Sequence, residues 1–304
     1  MKVVEEADMG LYTGFRTGGR AEKLVICEKK EEIGPLLDAL DARGKPYIIL
    51  GKGSNTLFAD DLYRGMVIML GPVFSEIDRK GEILTCGAAA SLSAVSRQAA
   101  LASLSGLEFA NGIPGSVGGA VYMNAGAYGR EVKDTLSFVV LLVRGRKGRE
   151  AVVVPASDLA LGYRTSRLQE EDSLLLSAVF ALRKGDRTAI EKEMKENSQK
   201  RADKQPLDWP SCGSFFKRPA GQYAGKLIEE AGLAGLTVGG AQVSPKHCGF
   251  IVNTGKAKAE DILTLMRLVQ YTVLDKSGVW LEPEVRIIRN TDKQRKKGEV
   301  KAKL

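Results

Sequence analysis

The sequence predicts a mixed protein, α+β or α/β, with α+β the class the later motifs favour, on three observations. Short β-branched and apolar runs recur along the chain, stretches with helical spacing of apolar residues separate some of them, and two glycine-rich loops interrupt the pattern. At ~150 residues per domain, 304 residues suggest about two domains. Such a chain can bury a full core and still enclose a large ligand.

The runs at 24–27, 47–50, 66–70, 83–86, 138–143, 152–154, 174–182, 250–253 and 285–288 read as strands, being rich in Val, Ile, Leu and Phe. Between residues 31 and 43, Ile33, Leu36, Leu37 and Leu40 share one helical face. Ile262, Leu265, Met266, Val269 and Val273 do so in a later helix, which Gly278 ends. Thr188 and Glu191 have the spacing of a capping box that starts a helix running to residue 200. That helix is so charged that one side must face water. It reads as a connector, placing a domain boundary within 186–204.

Hydrophobic residues make up 44% and charged residues 27%, the balance of an ordinary folded protein. The net charge of +8 first suggests a polyanionic partner, but residues 293–304 alone hold six Lys/Arg against Glu299. The body is therefore nearly balanced, and a short basic end is a solvated tail rather than a nucleic-acid surface. Cys27, Cys86, Cys212 and Cys248 form no CxxC pair and there is one histidine, His247, which argues against zinc and against a disulfide framework. The opening MKVVEEADMG carries acids where a signal peptide needs bases, and no apolar run nears the ~18 residues of a membrane span. These features predict a cytoplasmic protein with neither membrane nor nucleic-acid partner.

Residues 51–56, Gly-Lys-Gly-Ser-Asn-Thr, directly follow an apolar strand. Glycines there let the backbone turn sharply and bring N–H groups against phosphate oxygens, with Ser54 and Asn55 as side-chain donors. The turn is neither G-x-G-x-x-G nor a Walker motif. A second loop, Gly112-Ile113-Pro114-Gly115-Ser116-Val117-Gly118-Gly119-Ala120, continues into Met123-Asn124-Ala125-Gly126-Ala127-Tyr128-Gly129. Small residues with almost no charge let a bulky planar or diphosphate ligand press onto backbone. Two such loops point to a dinucleotide.

Together these loops resemble the flavin site of vanillyl-alcohol-oxidase-type FAD domains, and within them the UDP-N-acetylenolpyruvoylglucosamine reductases. The resemblance implies that Gly51, Gly53, Ser54, Asn55 and Thr56 hold the FAD diphosphate. It likewise implies that Pro114, Gly115, Ser116, Gly119, Asn124 and Gly126 line the rest of the flavin pocket. Further motifs occur in the family's order: Phe15-Arg16-Thr17-Gly18-Gly19, Gly162-Tyr163-Arg164-Thr165-Ser166, Cys212-Gly213-Ser214-Phe215-Phe216-Lys217 and Leu281-Glu282-Pro283-Glu284-Val285-Arg286. They span nearly the whole chain.

The implied fold is a two-lobed FAD domain over 1–185, split near 71, with a smaller α+β substrate domain over 186–304 whose last strand returns to the flavin. The implied activity is NADPH-dependent reduction, through FAD, of a vinyl ether that bears a carboxylate. Hydride adds to the methylene carbon and leaves negative charge on the neighbouring carbon and carboxylate. Arg164 suits that charge, Ser214 the proton that quenches it, and Glu284 a supporting role that requires a raised pKa. Glu282, two residues away, alternates to the other face of the strand. By the same resemblance Tyr128, Tyr163, Lys204, Gly213 and Gln242 meet the UDP-sugar, Lys204 at its diphosphate. The protein is expected to be a monomer.

Two departures bear on the substrate. Arg218 stands where some relatives carry Asn after Phe-Lys, so an amide contact cannot be carried over. The short stretch from 167 to 182 has no tyrosine, which places the chain in the family's short-loop branch. His247 lies more than a hundred residues beyond the glycine loops, so the FAD is expected to be non-covalent and His247 structural or on the substrate side. Two other readings remain open here. One is a related FAD-dependent oxidase of a small alcohol, and the other is a non-catalytic UDP-sugar-binding flavoprotein.

Overall fold

The computed structural model describes residues 1–59 and 62–290, so the basic tail at 293–304 lies outside the described residues. The architecture is α+β in three packed parts. The first is a four-stranded sheet ordered Lys2–Asp8, Arg20–Cys27, Leu62–Leu70, Tyr47–Ile49. Its first pair is antiparallel, and Leu62–Leu70 runs parallel to both its neighbours. Helix Lys30–Ala42 makes the crossover and buries Ile33, Leu37 and Leu40, the face its spacing predicts.

The second part is an antiparallel five-stranded sheet ordered Gly148–Pro155, Leu136–Gly145, Ser173–Ala181, Ile83–Gly87, Ile77–Lys80. Helices Leu92–Leu101 and Val117–Tyr122 contribute to its core. A buried ionic group ties the first two parts together. Arg149 bridges Asp41 at 2.6 Å and Asp172 at 2.9 Å. Removing one partner of such a group leaves an uncompensated charge, so the group fixes geometry more than it adds net stability.

The third part is the antiparallel sheet Thr237–Val238, Ala241–Val243, Ile251–Asn253 with helices Ala224–Glu230 and Ala259–Ser277. Gly278 caps the long helix at φ 70, a conformation glycine adopts without strain. This core also takes in Phe15 and Leu57 from the far N-terminal end of the chain. Strand Arg286–Ile288 then pairs in parallel with Thr56–Phe58, immediately after the first glycine turn.

The connecting helix runs Arg187–Lys204, and its cap corrects the sequence reading. Asp186, not Thr188, accepts the Ala189 N–H at 2.9 Å, because it lies three residues before the first free amide its carboxylate can reach. Ile190 and Met194 on this helix pack against Ala100 of the second part.

Candidate active site

The three parts surround a cavity of about 800 Å³, within the range that holds a large cofactor. Its floor is the pair of glycine-rich segments. Gly53 has φ +62, and a Cβ there would lie 2.0 Å from the Tyr12 carbonyl oxygen, so no other residue fits without moving backbone. A Cβ on Gly51 would lie 2.5 Å from Ser116 Oγ. The Ser54 hydroxyl donates to the Pro114 carbonyl at 2.9 Å and so stitches one loop to the other. Among the described residues, no protein acceptor takes the backbone N–H of Gly53, Ser54, Asn55, Gly115 or Ser116. A cradle of free amides without room for side chains is the donor set a diphosphate needs, and it fits FAD.

Ser116 caps the short helix that follows by accepting from the Gly119 N–H at 3.3 Å. Thr56, Pro114, Gly115, Ser116, Gly119 and Gly126 all line the cavity. Asn124 does not. It is fully buried, and its amide is consumed by Glu131 Oε2 at 3.0 Å, the Gly162 carbonyl at 2.9 Å and the Lys133 N–H at 3.0 Å. It shapes the pocket from behind by holding the turn that carries Arg164.

That turn is tight and strained. Gly162 and Thr165 exchange backbone hydrogen bonds at 3.1 and 3.3 Å, and Arg164 between them has φ 55, unusual for a residue with a long side chain. Ser166 is buried and donates to the Tyr122 carbonyl at 2.7 Å, so the serine of this motif anchors the turn. The result is an Arg164 side chain aimed into the cavity. Its Nε donates to Glu284 Oε1 at 2.7 Å and its Nη2 to the Gly126 carbonyl at 3.2 Å.

Glu284 and Ser214 reach the same place on neighbouring extended segments. The Phe215 N–H donates to the Gly249 carbonyl at 2.7 Å, and the Glu284 N–H to the Phe215 carbonyl at 2.8 Å. Gly213, at φ 77, turns the chain just before Ser214. The Asn55 amide donates to the Glu284 carbonyl at 3.0 Å, which couples the segment that carries Glu284 to the glycine turn. Glu282 pairs with Lys217 and does not line the cavity, whereas Glu284 does. Burial raises the Glu284 pKa above the usual carboxylate range, against the opposing pull of Arg164 and Lys217.

The protonated acid therefore persists to higher pH than in a free glutamate, and the charged form takes over as pH rises. If the neutral form is the working one, substrate reduction falls on the alkaline side with an apparent pKa above the ordinary value. Glu284→Gln, which cannot ionise, should remove that limb while keeping a measurable rate. Single-turnover rates across pH check this, and an unchanged limb in the variant would assign it to another group.

The proposed substrate contacts divide. Tyr128 and Gly213 line the cavity. Tyr163 lies at the edge, its hydroxyl accepting the Arg218 N–H at 3.1 Å and its ring 5.0 Å from the Arg164 guanidinium. The Gln242 amide donates to Thr237 Oγ1 at 3.1 Å within its own hairpin, outside the lining. Lys204, at the helix end, is also outside it, whereas Arg201 and Gln205 are inside. Sequence reading missed both. Helical spacing from Ile190 and Met194 leads through Asn197 to Arg201 on the same inner face, a signal that two apolar residues were enough to give. His247 is structural: its Nδ1 accepts the Gly249 N–H at 3.1 Å, and its ring meets Phe250 edge-on at 4.9 Å.

Comparison with known proteins agrees with this geometry. Residues 205–288 match the family described as UDP-N-acetylenolpyruvoylglucosamine reductase, C-terminal domain, and residues 21–145 match the FAD binding domain. A reductase of that name from Agathobacter rectalis is 47% identical over 298 residues, covering 94% of this chain and 94% of its own. One from Lachnoclostridium phytofermentans is 45% identical over 281 residues, covering 91% and 90%. The crystal structure of the reductase from Thermus caldophilus superposes with a TM-score of 0.81 at 36% identity, covering 95% of this chain and 98% of that one.

Proposed function

The chain belongs to the UDP-N-acetylenolpyruvoylglucosamine reductase family, and from that premise we propose that it reduces the enolpyruvyl ether of UDP-N-acetylglucosamine to UDP-N-acetylmuramate. NADPH is the reductant, FAD the carrier, and peptidoglycan precursor synthesis the setting. The observation that carries this reading is the meeting of Arg164, Glu284 and Ser214 on one cavity floored by unpaired backbone amides. When held by these loops, FAD would supply the hydride-transfer chemistry between NADPH and the substrate's methylene carbon.

The protein's own groups do the rest. Gly51, Gly53, Ser54, Asn55, Gly115 and Ser116 hold the diphosphate without a covalent bond. Arg164 lies against the substrate carboxylate and takes up its growing charge, where a fixed cation in a site shielded from water stabilises most. Ser214 gives its hydroxyl proton to the adjoining carbon. Glu284 fixes the Arg164 fork and, when neutral, shares a proton with the forming enolate. We place the division between FAD lobes and substrate domain near 186, so that the connecting helix carries Arg201 and Gln205 from the second unit onto the first. The protein works as a monomer in the cytoplasm, and through wall synthesis it serves cell shape and division. No helix among the described residues is long and apolar enough to cross a membrane.

One cleft with one cofactor site requires the two substrates to alternate. Steady-state kinetics should give parallel double-reciprocal lines at low concentrations, and the enolpyruvyl substrate should inhibit when in excess. The purified protein should show flavin absorption and release free FAD on denaturation. A colourless chain that does not take up FAD, or a ternary complex holding NADPH and UDP-sugar together, would overturn the reading.

A further inference from the structure

His247 is the single histidine of the chain, and its ring is fixed where it can act on the proton donor. The turn over 244–250 folds back on itself. The His247 N–H donates to Ser244 Oγ at 3.3 Å, and the Phe250 N–H to the His247 carbonyl at 2.9 Å. The imidazole lies against two glycines that leave no room for more. A Cβ on Gly225 would lie 3.2 Å from its Cε1, and one on Gly249 2.9 Å from the same atom. Its Nδ1 accepts the N–H of buried Gly249 at 3.1 Å, and among the described residues that N–H has no other acceptor.

Gly249 is the link to the reacting end of the cleft. Its carbonyl accepts the Phe215 N–H at 2.7 Å, and the next residue, Phe250, bridges Ser214 in the same antiparallel pairing. Ser214 and Phe250 both line the cavity. A glycine has no side chain to restrict its two dihedral angles, so the direction of its carbonyl depends on the bonds imposed on it. One of those bonds is the imidazole's. It requires an Nδ1 without a proton, hence a neutral ring with its hydrogen on Nε2. We propose that His247 is a positioning residue for Ser214: the neutral imidazole holds Gly249, and with it the segment that presents the hydroxyl, and the protonated imidazole releases it. This rests on the reductase reading above, in which Ser214 delivers the proton.

The groups around the ring set the direction of the pH effect. Burial, the largest influence, pulls its pKa below the ordinary histidine value. The backbone of His247 itself and the carboxylate of Glu229, on helix Ala224–Glu230, draw it back up in part, and Lys204 at the end of the connecting helix adds to the lowering. In the same turn, burial pushes the Cys248 thiol up, and Lys246 reaches away to the Ala202 carbonyl at 2.6 Å. The ring is therefore neutral at pH 7. As pH falls through a value below about 6.5, Nδ1 gains a proton, both nitrogens become donors, and the Gly249 bond is lost.

In FAD-loaded protein, flavin reoxidation by the enolpyruvyl substrate should fall about tenfold or more along an acid limb with that midpoint, while reduction by NADPH shows no such limb. The limb lies opposite the alkaline one assigned to Glu284. His247→Asn offers an amide oxygen that can accept the Gly249 N–H and does not titrate. It should keep the neutral-pH rate within about threefold and abolish the acid limb. His247→Phe, with no acceptor, should be slower by about tenfold or more at every pH. Stopped-flow recording of both half-reactions reads these outcomes, and NMR of the lone imidazole and of the Ser214 and Phe215 amides supplies the midpoint. An acid limb that survives in His247→Asn overturns the proposal. So do parent-like rates in His247→Phe, or an imidazole that titrates without moving those amides. Should His247→Phe not fold, His247→Asn decides. A chain without FAD, or one that does not react with the enolpyruvyl substrate, would sink the reductase reading instead, and the amide titration still tests the link from His247 to Ser214.

Discussion

Ser214→Ala slows oxidation of the protein loaded with two-electron-reduced FAD by the enolpyruvyl substrate ~10²–10⁴-fold, the usual contribution of a positioned general acid, and leaves reduction by NADPH within about twofold. The separation follows from the chemistry. Hydride transfer from NADPH needs no proton from the protein at the substrate end of the cleft, whereas the carbon beside the carboxylate must receive one. The substitution removes a single oxygen from an extended segment pinned on both sides, through Phe215 to Gly249 and to Glu284. The surrounding frame has no cause to move. Stopped-flow recording of the two half-reactions reads the result directly. Equal damage to both would mean that the hydroxyl shapes the cleft rather than supplying the proton.

Gly53→Ala should yield folded protein that has lost most of its affinity for FAD. The residue sits at φ +62, and the added methyl would meet the Tyr12 carbonyl oxygen at 2.0 Å. Left-handed backbone costs an alanine about 1–2 kcal/mol, and the collision forces the turn itself to shift. Hydrogen bonds to a charged partner contribute about 1.5–3 kcal/mol each, so misplacing two amides lowers FAD affinity roughly 10²–10⁴-fold. Fluorescence titration of apoprotein with FAD measures it. Gly129→Ala is the control, because a Cβ there meets nothing within 4 Å despite its positive φ of 79. Parent-like affinity in Gly53→Ala would remove the turn from the diphosphate site.

Much of this was legible in the sequence because the signals were local. The face of helix Lys30–Ala42 and the end of the long helix at Gly278 both follow from spacing along one element. What was not legible depended on burial from across the fold. Asn124 stood in the middle of a flavin-like motif, yet its amide is spent on Glu131, Gly162 and Lys133, partners that only the folded turn brings near. Lys204 and Arg201 are both bases near the end of one polar helix, and composition cannot say which faces inward. Strand Lys2–Asp8 was missed because its exposed acids mask the pattern of a sheet edge. Helix Ala224–Glu230 was missed because seven residues give too few turns for a period.

The parallel pairing of Thr56–Phe58 with Arg286–Ile288, and the Asn55 amide on the Glu284 carbonyl, close a loop of 229 residues. Closing a loop of that length carries an entropic cost that the rest of the fold must offset. During synthesis the glycine turn emerges early but must wait for nearly the whole chain before its partner strand leaves the ribosome. A nascent or truncated chain can thus own every amide of the cradle and still lack the acid that completes it.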